Sequence, residues 1–299
     1  MSFVATLVST PTAPAVDQDL VRRASKALGQ TTAETVLSPG VAADIHFEAA
    51  DATAIAAAES RIRTVIGAAP VDVFVQPETD RRKRLLIADM DSTMIRQECI
   101  DELAAELGLK KKISGITERA MRGEIDFEPA LRERVGLLAG LSVSAIDTVL
   151  SNRIVLMPGG RTLVQTMKAN GAYCALVSGG FTHFTRSVAA MIGFDENQAN
   201  TLLEENGKLT GKVAEPILGR DAKRERLEEL VADKSIEFSE TLAVGDGAND
   251  LAMIERAGAG VAYRAKPAVA EAADFRVDHG DLTALLYLQG YAEKDFVLS

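Results

Sequence analysis

Two short apolar runs in this 299-residue chain each end on a pair of aspartates, and that coincidence restricts the fold more than any other feature. The first run, Leu85 to Ala88, leads into Asp89 and Asp91; the second, Leu242 to Gly245, leads into Asp246 and Asp250. Short, wholly apolar runs flanked by helical stretches predict parallel strands buried on both faces. In such sheets ligands gather at the carboxyl ends of the strands. Carboxylates brought together there repel one another, and a hard divalent cation resolves the repulsion; an all-oxygen ligand set favours Mg²⁺ over Zn²⁺. Gly245 and Gly247 allow the sharp turn and close backbone approach this needs. An EF-hand reading of the second motif fails because its sixth loop position is Leu251, not glycine. For Asp89 and Asp91 alone, a local Asx turn remains an open alternative.

A third run, Tyr173 to Val177, is followed by Ser178, Gly179 and Gly180. A hydroxyl and exposed N–H groups after a strand suit phosphoryl oxygens. The nucleophilic-serine elbow G-x-S-x-G is missing, since Leu176 stands at its first glycine. His183 nearby reads as an ordinary helix or loop histidine. Lys223, between the third run and the second aspartate pair, could neutralise both an aspartate and a phosphoryl group, although most lysines are simply solvated.

The expected fold class is α/β: a doubly wound parallel sheet, Rossmann-like, with an inserted helical cap, preceded by a small ferredoxin-like α+β domain. Residues 1–80 alternate as β-α-β-β-α-β. Strands are expected at Phe3–Ser9, Thr35–Leu37, Ala42–Phe47 and Val71–Val75. Helices are expected at Asp17–Leu28 and from an N-capping Asp51 to Ile66. The basic stretch from Pro77 to Arg84 reads as a linker, and residues 81–299 as the larger domain. The charged, strandless stretch at about 98–156 reads as the helical insertion.

Composition narrows the function classes. With 33 basic and 43 acidic residues the formal charge is −10, which argues against nucleic acid as a partner. Cys99 and Cys174 lack metal-ligand spacing, and two thiols in a chain this size suggest a reducing compartment. No apolar run approaches the roughly 20 residues a membrane helix requires. The first residues lack the basic region of a signal peptide. A soluble, cytoplasmic globular protein is expected.

Taken in order, these motifs resemble those of the haloacid-dehalogenase-like phosphohydrolases. Asp89 and Asp91 match motif one, Ser178 motif two, Lys223 motif three, and Asp246 with Asp250 motif four. The stretches DMDSTMIRQECIDELA, AMRGEIDFEPALRERV, MPGG, LVSGGF and VGDGAND narrow the resemblance to the phosphoserine phosphatases across nearly all of residues 85–299. The resemblance implies Asp89 as the nucleophile that becomes an aspartyl phosphate and Asp91 as the general acid and base. It implies Mg²⁺ held by Asp89, the main-chain carbonyl of Asp91 and Asp246, with Asp250 a further ligand or a support. Ser178, Gly179 and Lys223 would bind phosphoryl oxygens, and Asn249 would add a polar contact. In the insertion, Glu98 would pair with an α-ammonium and Arg134, bidentately, with an α-carboxylate. Met121 and Phe127 would close over the substrate. The implied activity is hydrolysis of O-phospho-L-serine in serine biosynthesis, with a related phosphatase or phosphotransferase as the alternative. A signalling receiver shares the aspartate, cation, hydroxyl and lysine, but normally lacks a carboxylate two positions after the nucleophile. The order in residues 1–80 is similar to ACT-like regulatory domains, which often pair and bind amino acids. That implies a homodimer and an effector such as serine.

Overall fold

The structure, a computed structural model, describes residues 1–51 and 53–298, and Met121 by its backbone alone. It divides into two compact units: Met1–Lys83 with Pro158–Gly171 and Phe275–Ser299, and Arg84–Met157 with Ala172–Asp274. The first boundary falls close to the expected linker. Two segments expected with the larger domain, 158–171 and 275–299, instead group with the N-terminal residues.

The first unit begins β1 (Ser2–Val8), α1 (Gln18–Leu28), β2 (Thr31–Ser38), β3 (Ala42–Glu48), α2 (Ala54–Ile66) and β4 (Asp72–Pro77). This is the expected β-α-β-β-α-β order, and the sheet runs β2-β3-β1-β4. Its β1–β3, β1–β4 and β2–β3 pairings are antiparallel, with Ala5 facing Ile45 on one side and Val75 on the other. Alternate residues Phe3, Ala5 and Leu7 therefore share one face with Ile45, Phe47, Val73 and Val75. Leu20, Ala24, Ala58 and Ile62 from the two helices complete that core. Asp17 stands one residue before α1 and accepts the Leu20 N–H at 2.7 Å, so it caps the helix. Asp51 does not cap α2. Its carboxylate takes the Thr53 N–H at 2.9 Å, forming a turn that delays the helix to Ala54. Strand β2 begins four residues before the expected Thr35, because its exposed polar residues conceal the apolar alternation.

The second unit is built on a sheet of five parallel strands. Strand β5 (Leu85–Ala88) is followed by α3 (Cys99–Ala105), α4 (Lys110–Met121), α5 (Phe127–Gly136) and α6 (Ser144–Asn152), the helices of the charged insertion. Next comes α7 (Gly160–Ala169), which belongs to the first unit. The chain continues through β6 (Tyr173–Phe181), α8 (Thr182–Ile192), β7 (Glu196–Asn200), the antiparallel pair β8 (Leu202–Glu205) and β9 (Lys208–Val213), and α9 (Ala222–Lys234). It then forms β10 (Thr241–Gly245), α10 (Leu251–Arg256), β11 (Ala259–Tyr263) and α11 (Pro267–Ala272). Within this unit the order is β11-β10-β5-β6-β7, and every adjacent pair is parallel. Leu85 and Ile87 pack with Val177, Ala243, Leu227 and Met253 in its core. The chain leaves β5 to one side for β6 and returns to its other side for β10. This reversal opens a crevice beyond the carboxyl end of β5, where Asp89 begins.

Strand β6 runs four residues past the expected Val177, so Ser178 lies within it. His183 falls in the first turn of α8. The first unit is completed by β12 (Phe275–Val277) and α12 (Ala284–Leu288). Phe275 meets Phe74 of β4 edge-on at 6.0 Å between ring centroids. Arg81, from the expected linker, bonds Asp44 at 2.7 Å and the carbonyls of Tyr287 and Leu288. These contacts explain why the C-terminal segment groups with the first unit.

Candidate active site

Four carboxylates meet where β5 and β10 end. The main-chain N–H of Asp89 donates to the Val244 carbonyl at 3.0 Å, so the pairing of the two strands sets where the first aspartate begins. The chain then turns sharply: Ser92 takes a positive φ of 57°, and the N–H groups of Met94 and Ile95 both reach the Met90 carbonyl. The turn aims the Thr93 hydroxyl at Asp246, 3.2 Å away, and the Ser92 hydroxyl at Glu98, 2.7 Å away. Asp250 precedes α10, but its side chain turns back from the helix. One of its oxygens accepts the N–H groups of Asp246 and Gly247 at 3.1 and 3.0 Å. This close approach requires Gly245, since a Cβ there would lie 2.4 Å from the Asp250 carboxyl carbon.

Lys223, from the first turn of α9, joins the group from below. Its ammonium lies 2.6 Å from Asp89 and 2.5 Å from Asp250, and it is almost wholly buried. Burial, with Asp250 beside it, pushes Asp89 up to about 7, against the pull of Lys223. Burial and the charges of Asp250 and Asp89 hold Asp246 well above the usual carboxylate range. Asp91 is also held well above it, by burial and then by Glu98 and Asp89; it accepts the Cys99 N–H at 3.3 Å.

Oxygens of Asp89, Asp246 and Asp250 lie within 4.8 Å of one another, all buried. Three carboxylates against one ammonium leave a formal −3 + 1 = −2, which a divalent cation would balance. The donor set is all oxygen and hard, so the residues fit such an ion. Asp250 has one oxygen committed to Lys223 and the other to main-chain amides. That suits a supporting carboxylate better than an open ligand. The side chain of Asp91 is not part of this trio.

Above the carboxylates lies a cavity of about 280 Å³. Asp89, Asp91, Glu98 and Arg134 line it, together with Phe127, Ser178, Gly179 and Asn249. Ser178 Oγ accepts the Gly180 N–H at 2.9 Å, and Asn200 anchors the Gly179 carbonyl at 3.0 Å, so this strand end is held from both sides. The Phe127 ring rests against Gly179: an added Cβ would lie 2.9 Å from it. Asn249 Oδ1 is buried without a hydrogen-bond partner among the described residues, an acceptor left for a donor from a ligand. Arg134 is buried, and no carboxylate lies within 4.0 Å of it among the described residues. Burial lowers its pKa, while Glu98 and Asp101 oppose that effect. The side chain of Met121 lies outside the described residues.

Every other residue expected to serve catalysis, substrate or metal thus stands around one cavity or in the carboxylate cluster beneath it. Several that line or support it were not singled out: Ser92, Thr93, Cys99, Asp101, Thr117 and Arg220. The hydroxyls beside Asp91, in Asp-Ser-Thr, were the available signal for the first two. Thr117 and Asp101 carried none, because their partners lie on other helices.

A strand-end aspartate, two further buried carboxylates and a lysine thus stand together where the parallel sheet reverses its order. The haloacid dehalogenase-like hydrolase model matches residues 86–255, more than half of the chain, and the chain belongs to that family. Similar proteins include a phosphoserine phosphatase from Streptomyces coelicolor, 44% identical over 215 residues, which cover 72% of this chain and 52% of that one. A phosphoserine phosphatase from Lactococcus lactis is 43% identical over 214 residues, covering 71% of this chain and 99% of its own. The crystal structure of a family hydrolase from Salmonella enterica serovar Typhi superposes with a TM-score of 0.82 at 30% identity. It covers 96% of this chain and 98% of that one. The chain spans 52, 63 and 51% of the length of the first three curated relatives. No helix among the described residues is long and apolar enough to cross a membrane.

Proposed function

We propose that this chain hydrolyses O-phospho-L-serine to serine and phosphate through a phospho-aspartate on Asp89. The observation that carries the reading is the buried Asp89–Lys223–Asp250 group at the floor of a cavity whose walls bring a carboxylate, Glu98, and a buried guanidinium, Arg134, with no carboxylate within 4.0 Å among the described residues. A phosphate monoester, an ammonium and a carboxylate on one small molecule complement that arrangement. The phosphoserine phosphatases similar to this chain support the same substrate.

In this reading Asp89 attacks phosphorus while Asp91, whose pKa is raised by burial and by the charges of Glu98 and Asp89, gives its proton to the departing serine oxygen. Asp91, now a carboxylate, takes a proton from the water that cleaves the aspartyl phosphate. Lys223 favours the ionised nucleophile. Ser178, the Gly179 N–H and Lys223 bind phosphoryl oxygens, and Asn249 adds a polar contact. A divalent cation, Mg²⁺ in this proposal, would be held by Asp89, Asp246 and the main-chain carbonyl of Asp91 with Asp250 behind, and would neutralise phosphoryl charge. Phe127 closes over the substrate and keeps water from the first step.

The same proposal places the enzyme at the last step of serine biosynthesis in the cytoplasm. Residues 1–80 would act as a regulatory domain that pairs two copies and binds an effector such as serine. A phosphate-release screen with Mg²⁺ across phosphoserine, phosphothreonine and sugar phosphates tests the activity. Preference for phosphoserine supports it; preference for a sugar phosphate, or transfer to an added amino alcohol in place of release, overturns it.

A further inference from the structure

Arg134 is held by something other than an acid. Its Nε donates to the Ala130 carbonyl of its own helix at 3.1 Å, and its Nη1 donates to Thr117 Oγ1 on α4 at 3.1 Å. The Thr117 hydroxyl has one hydrogen and two acceptors in reach: Asp101 Oδ1 on α3 at 3.3 Å and the Ile113 carbonyl of its own helix at 3.1 Å. Asp101 is clamped in turn, accepting the Ser114 hydroxyl at 2.6 Å, and its N–H donates to the Glu98 carbonyl at 3.0 Å. Glu98 and Asp101 thus lie one turn apart at the start of α3, Thr117 lies on α4, and Arg134 lies on α5. Thr117, Asp101 and Arg134 are all buried.

We propose that Asp101 and Thr117 form a positioning relay that fixes the Arg134 guanidinium relative to Glu98, and so sets the spacing with which the cavity reads a carboxylate and an ammonium on one substrate. The relay rests on the phosphoserine reading and names the residues that set its selectivity. A neutral hydroxyl is suited to the task. It orients the guanidinium without neutralising it, and leaves the positive charge for the incoming carboxylate. A direct Asp101–Arg134 ion pair would instead compete with that carboxylate. By accepting from Thr117 and Ser114, Asp101 ties the two helices that carry Glu98 and Thr117.

The test compares phosphoserine with phosphoethanolamine, which keeps the phosphate and the ammonium and lacks the carboxylate. Thr117→Val removes the hydroxyl at nearly constant volume. It is expected to raise KM for phosphoserine about tenfold with kcat changed less than about twofold, and to raise KM for phosphoethanolamine far less. Thr117→Ser should restore the phosphoserine KM. In an Arg134→Ala background, Thr117→Val should add nothing further. Equal losses on both substrates, failure of serine to rescue, or full additivity with Arg134→Ala would overturn the relay. If Thr117→Val fails to fold, Asp101→Ala, which removes the side-chain acceptor of the Thr117 hydroxyl, is measured in its place with the same expected selectivity. Wild-type protein that does not favour phosphoserine over phosphoethanolamine would overturn the zwitterion reading and the relay together. That outcome is separate from a wild type that discriminates and a variant that still does.

Discussion

The Lys223 ammonium lies 2.6 Å from the Asp89 carboxylate, with both side chains almost wholly out of solvent. This cation makes it possible for Asp89, Asp246 and Asp250 to share one buried site. Removing one partner of a buried charge group leaves the rest uncompensated, typically at a cost of about 3–5 kcal/mol. Lys223→Met is therefore expected to destabilise the protein by about that amount at neutral pH. The carboxylates of Asp89 and Asp246 are raised in the folded state, so folded protein takes up protons before unfolded protein as pH falls. Burial raises the Asp89 pKa and Lys223 holds it down to about 7, so without Lys223 Asp89 takes up its proton at higher pH, and the deficit should shrink as pH falls from alkaline values toward about 7. Urea unfolding at two pH values, with and without the substitution, checks both the size and the sign.

Asp89→Asn should abolish turnover while leaving the fold in place, because the amide fills the same space and Asp250 still engages Lys223. A loss of about four orders of magnitude or more in kcat is expected for a nucleophile. Acid-quenched protein from wild type should carry an acid-stable, base-labile phosphoryl group, and the variant none. Normal turnover by the variant would remove Asp89 from the chemistry.

Glu98 is held above its ordinary value of 4.5, chiefly by burial, so it takes up a proton earlier in acid than a solvated glutamate would. It must be ionised to attract an ammonium. The phosphoserine KM should therefore rise as pH falls through a value above 4.5. Glu98→Gln should raise KM at neutral pH and remove this acid limb. An unaltered KM–pH profile in the variant would place Glu98 outside substrate recognition.

Phe127 sits so close over Gly179 that a methyl group there would lie 2.9 Å from its ring. Gly179→Ala should displace the ring and raise KM several-fold. Phe127→Ala should also raise KM, yet the double variant should be less impaired than the sum of the two, since the clash has gone. Strict additivity would show that the ring and the strand end act separately.

Three carboxylates arranged around a net charge of −2 should bind Mg²⁺ in the absence of substrate. At a hundred times its dissociation constant, the cation should stabilise the fold by about 2.7 kcal/mol. Chelation should reverse the gain, and Asp246→Asn should abolish it. Equal melting temperatures with and without Mg²⁺ would sink the assignment of this cluster as a cation site.

Much of the site was legible because its signals are local. An apolar run that ends in aspartate reports a buried strand and a polar tip within about six residues, and Asp89 and Asp246 both follow such runs. Strand β7, Glu-Asn-Gln-Ala-Asn, escaped notice because a polar edge strand loses the apolar run that marks a buried one. The start of α2 shifted because Asp51 bonded Thr53 before it could cap a helix. Residues 275–299 read as the tail of the larger domain, and nothing local in them announces the ring of Phe74 or the guanidinium of Arg81.

Residue order alone determined the alternation of strands and helices, the aspartates placed at strand ends, and the excess of negative charge that a cation and lysine must offset. Folding decided which of those charges face one another. Asp250 turned from its helix toward two backbone amides and Lys223, and Arg134 was tied to a hydroxyl on a neighbouring helix. Strand and helix propensities act over a few residues. Charge compensation and burial depend on distance in space, which only the packed chain sets.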